Sequence, residues 1–431
     1  MVIVGWIIVA CSARWPRRNK SPRYRYKVEV KMLSVEEVVR SNLCLGCGAC
    51  ANLPEVTMKL NERGFARPSR PQVAQSAPQP ELEAICSGYS VEQDAVDRPY
   101  DDVWGPILDI WTGNSTDAEV RYRGSSGGVL SQIAIDLIES KAVDFVVHTQ
   151  ADPDEPLGNV TSPSFDRKGI LAGAGSRYAP SSPLAKLNVY LETGKKFVFI
   201  GKPCDVVALR RMARIDPRID LQVPYMLSFF CAGVPSRFGA LAVLKKLEVE
   251  AAEVSKFEFR GRGWPGLTRA TRFDGSEATM DYNSSWGTVL SRNLQFRCKI
   301  CPDGTGEFAD IVCADAWYGK DGYPDFAERD GRSLVIVRTA RGQALLADLT
   351  HKGRVELEPL RVGEIELMQP YQRDRKRAVL ARLGALVAGR RKLPNYRNLR
   401  LSALTWRSNP LWLLKNALGT FRRLPSTPPG S

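Results

Sequence analysis

Apolar residues between positions 129 and 247 follow two alternating patterns. From 129 to 140 they recur at helical spacing, as at Val129, Ile133 and Leu137. Short continuous apolar runs predict buried strands at 144–148, 197–200 and 225–230, and helical patterns follow at 205–214 and 235–247. Alternation of strands and helices is typical of the α/β fold class. We therefore predict a largely parallel sheet core that is covered by helices on both faces.

The segments on either side of this core have other patterns. Ser34 is a predicted N-cap of a short helix that ends near 42, and residues 66–82 are rich in Pro, Gln, Ser and Ala and predict no regular structure. Strand-like runs around Gly261–Gly266 predict a smaller, mixed C-terminal region that begins near 256. After 370 the chain is helical and basic, and a helix docked on the body is favoured there over one on a membrane surface.

The charge of the chain is concentrated at its ends. The 431 residues carry a formal net charge of +14, with eight basic and one acidic residue in 1–31 and nine basic and no acidic residues in 390–431. The body is therefore close to neutral, which argues against nucleic acid as a partner and favours solvated ends or a loose contact with an anionic surface.

The first ten residues are apolar but too few to span a bilayer, and their positive charges come after the apolar run, opposite to a signal peptide. Met32 opens a more usual start. Residues 1–31 are interpreted as an upstream extension, with a membrane anchor as the alternative.

Three closely spaced cysteines form the clearest motif of the chain. Cys44, Cys47 and Cys50 are separated by two residues each, with glycines between them that allow a tight loop. A four-iron cluster needs a fourth thiolate, and Cys86 is the next cysteine along the chain. Buried structural cysteines and a zinc knuckle are the alternatives. The chain has only two histidines, which are isolated, so an iron–sulfur cluster is the preferred interpretation.

Four later cysteines predict a second cluster. Cys204 and Cys231 each follow a predicted strand, and such strand ends share one edge of a parallel sheet. Cys298 and Cys301 add a CxxC pair. Cys313 is interpreted as a core residue or a spare ligand, and Cys11 as incidental. The length and the cysteine spacing favour metal ligation in a reducing cytoplasm over disulfides.

Two small-residue loops are candidate nucleotide-binding sites. The first precedes the helix at Val129 and offers backbone amides to an anion; it comprises Arg123, Ser125, Ser126, Gly127 and Gly128. The second offers hydroxyls, a guanidinium and an aromatic ring, from Ser176, Arg177, Tyr178 and Ser181. Together they suit the pyrophosphate and rings of a flavin nucleotide, with a simple capping loop as the alternative for the first. The first loop is neither a Walker loop nor a dinucleotide GxGxxG fingerprint. The chain has no HExxH motif and no Ser/His/Asp set, which disfavours hydrolytic chemistry.

The motifs that carry a family resemblance run in order from about 44 to 317. They include Cys44-x-Gly-Cys47-Gly-x-Cys50, Ser125–Gly128, Gly175–Tyr178, Gly201-Lys202-Pro203-Cys204, Phe230–Gly233 and Cys298-x-x-Cys301-x-Asp303. With this set the chain resembles the coenzyme F420 hydrogenase/dehydrogenase beta-subunit family, in which F420 is a deazaflavin. The resemblance implies FAD, one or two 4Fe–4S clusters, and Lys202 among the cofactor-binding residues. It also implies ferredoxin or coenzyme F420 as the electron partner.

The sequence thus predicts five segments. They are a basic N-terminal extension at 1–31, an N-terminal iron–sulfur region at 32–115, an α/β flavin-binding domain at 116–255, a C-terminal region with the second-cluster CxxC at 256–370, and a basic helical tail at 371–431.

The predicted function is that of a cytoplasmic iron–sulfur flavoprotein oxidoreductase. It would pass electrons between clusters and FAD to a small-molecule or deazaflavin substrate, alone, as a homo-oligomer or within a larger complex. The alternatives are a non-catalytic electron-transfer subunit and a zinc-stabilised binding protein. Peripheral membrane contact through the basic tails is kept as a further interpretation.

Overall fold

The computed structural model describes residues 33–71, 79–94, 98–320 and 323–424. The predicted extension at 1–31, with Cys11, lies outside the described residues, as does 72–78 of the segment predicted to lack regular structure.

The strands are short, as expected for a sheet core with several small appendages. In chain order they are β1 (Thr57–Leu60), β2 (Ala66–Ser69), β3 (Ser90–Glu92), β4 (Tyr100–Asp101), β5 (Gly105–Pro106), β6 (Asp109–Ser115), β7 (Phe145–Ala151), β8 (Asn159–Ser164), β9 (Phe197–Gly201), β10 (Met226–Phe229), β11 (Val254–Glu258), β12 (Thr268–Arg272), β13 (Glu277–Met280), β14 (Ile311–Asp315), β15 (Tyr318–Lys320), β16 (Tyr323–Asp325), β17 (Ser333–Val337), β18 (Val355–Pro359) and β19 (Asn395–Arg397).

The helices cover the core and form the C-terminal region. In chain order they are α1 (Val35–Arg40), α2 (Pro80–Ile85), α3 (Ala118–Arg123), α4 (Val129–Glu139), α5 (Arg167–Ala172), α6 (Leu187–Leu191), α7 (Pro203–Ala213), α8 (Arg218–Gln222), α9 (Arg237–Lys246), α10 (Phe296–Lys299), α11 (Ala340–His351), α12 (Val362–Met368), α13 (Pro370–Arg377), α14 (Val379–Ala388), α15 (Leu401–Trp406) and α16 (Pro410–Phe421).

The predicted strands and helices of the core are confirmed. The helix at 129–140 is α4, the runs at 144–148, 197–200 and 225–230 are β7, β9 and β10, and the helices after the last two are α7 and α9. Ser34 caps α1 by accepting a hydrogen bond from the Glu37 amide at 3.1 Å.

The central sheet has eight strands in the order β18-β6-β17-β14-β10-β9-β7-β8. The four adjacent strands β14, β10, β9 and β7 pair with one another in parallel, and the remaining neighbouring pairs of this sheet are antiparallel. The α/β class is confirmed, but the prediction of a largely parallel sheet is wrong. The cause is that β8 returns beside β7 as a hairpin, while β17 pairs antiparallel with β14 and the sheet continues with the antiparallel pairs β17-β6 and β6-β18.

Alternate residues of the parallel strands pack into two layers, one on each face of the sheet. On one face Val146, Val198 and Leu227 pack under α4 and its neighbours. On the other face Phe197 and Phe199, together with alternate residues of the neighbouring strands, pack under α6 and α7. This period of two agrees with the predicted cover on both faces.

The predicted mixed C-terminal region is present as the antiparallel sheet β11-β12-β13, but the chain after it returns to the central sheet. The strands β14, β17 and β18 come from 256–370, and β6 comes from 32–115. The central sheet is therefore built from chain on both sides of the predicted boundaries at 115–116 and 255–256. From Leu33 onward the described residues cluster as one compact unit.

Candidate functional site

A deep cleft opens at the carboxyl ends of the parallel strands β9, β10 and β14. Its walls include the loops at 124–126 and 173–181, the chain from 229 to 235 after β10, and the aromatic side chains of Tyr282 and Trp286. Its empty volume, counted out to the open mouth, is about 1530 Å³. Ligand sites of α/β sheets commonly lie at this edge, so the cleft is the candidate binding site.

The Ser125–Gly128 loop reaches the cleft in part. Ser125, Ser126 and Gly128 line it, whereas Gly127 does not. Gly127 packs against the sheet so closely that a Cβ would lie 2.4 Å from the carbonyl oxygen of Gly113. Its amide donates to the Ser333 hydroxyl at 2.9 Å. The fifth predicted residue, Arg123, is not among the lining residues and lies on the surface 3.6 Å from Glu119.

All four predicted residues of the second loop line the cleft, namely Ser176, Arg177, Tyr178 and Ser181. The Arg177 guanidinium, however, donates to protein acceptors, including the carbonyl oxygens of Gly158 at 2.6 Å and Phe257 at 2.7 Å. These bonds tie the loop to the neighbouring sheet. Tyr178 packs against Trp286 with ring centroids 4.6 Å apart. The hydroxyls of this loop are therefore better placed to meet a ligand than its guanidinium.

Lys202 stands at the start of α7, where the strand β9 ends at the cleft. Its ammonium group donates to the Ser181 hydroxyl at 3.2 Å and pairs with the Asp205 carboxylate at 2.8 Å. Burial alone would lower the pKa of Lys202, but the Asp205 carboxylate and nearby thiols raise it above its usual range. This wall of the cleft therefore has an ammonium group that is paired with a buried carboxylate.

The first cysteine group comprises Cys44, Cys47, Cys50 and Cys86. Gly46 and Gly48 adopt left-handed conformations with φ of 77° and 84°, which curl the loop around its thiols. The remote Cys86 ends α2, and Gly88 beyond it packs so tightly that a Cβ would lie 2.4 Å from the Leu43 carbonyl oxygen. Burial raises the pKa of the Cys50 thiol, and the other three thiols raise it further. The four side chains thus lie near one another.

The second group comprises Cys204, Cys231, Cys298 and Cys301. Cys204 lies in the first turn of α7, and Cys231 follows β10, where its amide donates to the Gly304 carbonyl at 2.9 Å. Burial raises the pKa of Cys231 to about 12, with the Cys298 thiol contributing. Burial also raises the pKa of Cys204, and both Cys231 and Cys301 add to it. The structure therefore brings the predicted members together at one edge of the sheet.

Cys313 differs from both groups. It is a buried residue of β14 within the hydrophobic core, and burial alone raises its pKa to about 12. Of the two interpretations, the contacts favour a core residue, which also forms part of the cleft wall.

Three residues that the sequence did not single out connect the two groups. The buried Arg297 donates to the carbonyl oxygens of Gly88 at 2.9 Å and Ser87 at 3.3 Å, next to Cys86. Gln295 donates to the Leu45 carbonyl at 3.2 Å and to the Cys298 sulfur at 3.4 Å. Asp205 influences the pKa of thiols in both groups. The only sequence signal for Arg297 was its position beside the CxxC pair.

Four thiols per group, with glycines that let the backbone fold closely around them, match the donor set of a 4Fe–4S cluster. Within the described ranges, no group of three or more His, Cys, Asp or Glu side chains is placed to hold a single metal ion.

Two family models match the chain. "Coenzyme F420 hydrogenase/dehydrogenase, beta subunit N-term" matches residues 110–188, and the model of the same subunit's C terminus matches residues 194–362. Together they span more than half of the chain and include the cleft loops and the second cysteine group. The first cysteine group precedes both.

Individual relatives agree with the family models. The coenzyme F420 hydrogenase subunit beta of Methanococcus voltae is 25% identical over 284 residues, which are 62% of this chain and 90% of that protein. The chloroplastic 7-hydroxymethyl chlorophyll a reductase of Oryza sativa subsp. japonica is 26% identical over 221 residues, 51% of this chain and 45% of the reductase. The chain therefore spans less than half of that longer relative.

A solved structure has the same fold. A chain of the F420-reducing NiFe hydrogenase complex from Methanosarcina barkeri superposes with a TM-score of 0.51 at 20% identity, covering 64% of this chain and 92% of that one. This match shows the fold, and the two family models, which together span more than half of the chain, show that it belongs to the coenzyme F420 hydrogenase/dehydrogenase beta-subunit family.

Proposed function

We propose that this protein is an oxidoreductase that moves electrons between two 4Fe–4S clusters and an FAD bound in the cleft. The first cluster would be held by Cys44, Cys47, Cys50 and Cys86, and the second by Cys204, Cys231, Cys298 and Cys301. A flavin supplies hydride transfer at one end of such a chain and one-electron exchange at the other.

The observation that carries the proposal is the double position of Cys231. It lies in the wall of the cleft and also next to the Cys298 thiol of the second group. A cluster held there would therefore lie directly behind the proposed flavin site. The first cysteine group would be the next step of the electron path. Arg297 connects the two groups, because it donates a hydrogen bond to the backbone beside Cys86 and is adjacent in sequence to Cys298.

The chain's own residues have defined tasks in this proposal. Ser125, Ser126, Ser176 and Ser181 offer hydroxyl groups to the diphosphate and ribityl chain of a flavin nucleotide. The Lys202 ammonium stabilises negative charge in the cleft. Aromatic side chains in the wall of the cleft, among them Tyr178, Tyr282 and Trp286, keep water from part of the site.

The substrate and partner follow from the relatives only as a proposal. The relatives include an F420-dependent formate dehydrogenase subunit beta and a coenzyme F420-dependent sulfite reductase, both of Methanocaldococcus jannaschii. We therefore propose coenzyme F420 or ferredoxin as the electron partner, either directly or within a complex. Free cysteines throughout the described residues suit a reducing compartment such as the cytoplasm.

Anaerobic purification with a visible spectrum and analysis of iron, sulfide, flavin and zinc tests the proposal. We expect flavin peaks above a broad iron–sulfur shoulder, with about eight irons per chain for two four-iron clusters. Clusters without flavin would instead support a subunit that only relays electrons. A colourless, zinc-containing protein would refute both.

Single substitutions then test the assignment of the thiols. Cys301→Ser should lose only part of the iron, and Cys313→Ser provides the matched control, because burial alone raises the pKa of Cys313, with no contribution from the thiols of either group. Unchanged iron in Cys301→Ser would contradict the second cluster. Equal iron loss in Cys313→Ser would contradict the proposed ligand set.

A further inference from the structure

The last helix of the described chain leaves an apolar face uncovered. On α16, Leu411, Leu414, Leu418 and Phe421 are 75%, 54%, 51% and 49% exposed. Their spacing of three, four and three residues places them on one side of the helix. Exposed apolar residues that form a continuous stripe mark an interaction surface more often than scattered ones do.

The opposite side of α16 is already used within the fold. Thr420 is buried there, and the Asn416 side chain accepts a hydrogen bond from Arg382 of α14 at 2.9 Å. The two helices pack along their length. The helix is therefore held in place by one face while it presents the leucines on the other, as the predicted docked helix requires.

The C-terminal chain that carries the stripe has only basic residues among its charged side chains. Residues 375–431 contain thirteen Lys or Arg residues and no Asp or Glu. Lys415 and Arg422 fall within about 40° of Leu411 when successive residues turn by about 100°. Both are exposed, and neither forms an ion pair with any described residue. Trp406, at the end of α15, is 89% exposed a few residues before the stripe.

We propose that this face binds the surface of an anionic lipid bilayer, with the leucines and Phe421 between the headgroups and Lys415 and Arg422 at the lipid phosphates. Helices of this composition lie in the plane of the membrane interface. With 12 residues, α16 is shorter than the ~20 residues that a spanning helix needs, and no helix in the described part of the chain is long and apolar enough to cross a membrane.

A second copy of the chain fits this face less well. In a twofold-symmetric contact the stripe would meet itself, which would bring Lys415 and Arg422 of both copies together, and residues 375–431 of neither copy supply an Asp or Glu to pair with them. An anionic bilayer avoids that repulsion, because its phosphates pair with the basic residues while its apolar interior contacts the stripe. Each basic residue near such a surface adds measurably to the binding, and salt weakens the effect.

Co-sedimentation of the full chain with vesicles tests the proposal. We expect binding to vesicles of phosphatidylcholine with phosphatidylglycerol, weaker binding at high salt, and much weaker binding to phosphatidylcholine alone. The Lys415→Gln/Arg422→Gln variant should bind the anionic vesicles roughly 30-fold less tightly, from two lost charges. The Leu414→Glu/Leu418→Glu variant should lose at least about tenfold. The matched controls are Leu221→Glu and Phe273→Glu, at residues 73% and 77% exposed elsewhere, which should bind as the unaltered chain does.

Three results would overturn the proposal. The first is no binding of the full chain to anionic vesicles at low salt. The second is equal loss of binding in the control variants. The third is a dimer, seen by analytical ultracentrifugation, that the Leu414→Glu/Leu418→Glu variant abolishes, because the face would then belong to a second copy. These outcomes do not depend on the proposed redox function.

Discussion

Replacing Arg297 by Met removes the cation that links the two cysteine groups. The Arg297 side chain is buried in α10, with its guanidinium 5.2 Å from the centre of the Tyr396 ring. It donates to the carbonyl oxygens of Ser87 and Gly88. A Met side chain fills a similar volume but donates no hydrogen bond, so the loop after Cys86 loses its attachment to the helix that carries Cys298.

The size of the effect follows from these contacts. Two hydrogen bonds from a charged group contribute about 1.5–3 kcal/mol each, and a cation over an aromatic ring adds about 0.5–2 kcal/mol. Part of this loss of stability is offset, because burying a Met side chain does not carry the desolvation cost of burying the guanidinium. The Nη1 atom of Arg297 also has no hydrogen-bond partner among the described residues. We therefore expect a net loss of about 2–4 kcal/mol.

Thermal unfolding followed by circular dichroism measures this loss. With an unfolding entropy of about 2.1 cal/mol/K per residue over ~400 residues, the expected drop in apparent Tm is about 2–5 °C. Arg297→Lys keeps the charge but not the planar guanidinium, so its apparent Tm should lie between those of the unaltered chain and Arg297→Met. Arg218→Met is the matched control, because Arg218 pairs only with Asp216 at the surface and should change Tm by less than about 1 °C.

Iron analysis of the same variants separates this role from a purely local one. If Arg297 holds both groups in register, Arg297→Met should lower the iron of both clusters together, whereas Cys47→Ser lowers that of one. An Arg297→Met protein with the Tm and the iron content of the unaltered chain would refute the reasoning.

Three further predictions concern the thiols, a buried carboxylate and a buried histidine. Cys47→Ser and Cys301→Ser should each remove about half of the iron, and the double variant nearly all of it, as measured by chelator assay. Asp310→Ala should destabilise the protein by about 3–5 kcal/mol in urea unfolding, because it removes the buried partner of the half-buried Arg210 and leaves the Met226 amide without its acceptor. Burial lowers the pKa of His148 to about 4 from an ordinary value near 6.5. Between these two pKa values the unfolded chain therefore binds more protons at this residue than the folded chain does. From pH 6.5 to 5 the unaltered chain should lose about 2 kcal/mol of stability that His148→Gln does not lose.

Local patterns predicted several elements of the α/β core and a grouping of the cysteines, whose role as cluster ligands stays a prediction. The helical period at 129–140 and the short apolar runs each predicted one element of the core, because burial of one face sets those periods. Cys204 and Cys231 come together at the ends of neighbouring parallel strands, as the strand-end rule requires. Cys86 could be chosen because no other cysteine lies between Cys50 and Cys204.

Strand direction could not be read from the same patterns. An apolar run such as Ile311–Asp315 fits a parallel or an antiparallel neighbour equally well, since both faces of the sheet are covered. On one side its neighbour is β17, which runs antiparallel to it. The strand β17 in turn pairs with β6, which is more than two hundred residues earlier in the chain. Arg177 is a similar case, because the carbonyl oxygens that engage it come from 156–158 and from β11.

The antiparallel strands also explain how the first loop is held at the cleft. Because β17 runs opposite to β14, it begins at the edge where β14 ends, and Ser333 pairs with Asp315 there. Its hydroxyl lies 3.1 Å from the Ser126 hydroxyl and accepts the Gly127 amide hydrogen. A parallel strand in this place would end at that edge and continue into a loop of its own. The mixed sheet therefore supplies a fixed strand start behind the loop, which holds Ser125 and Ser126 in the wall of the cleft.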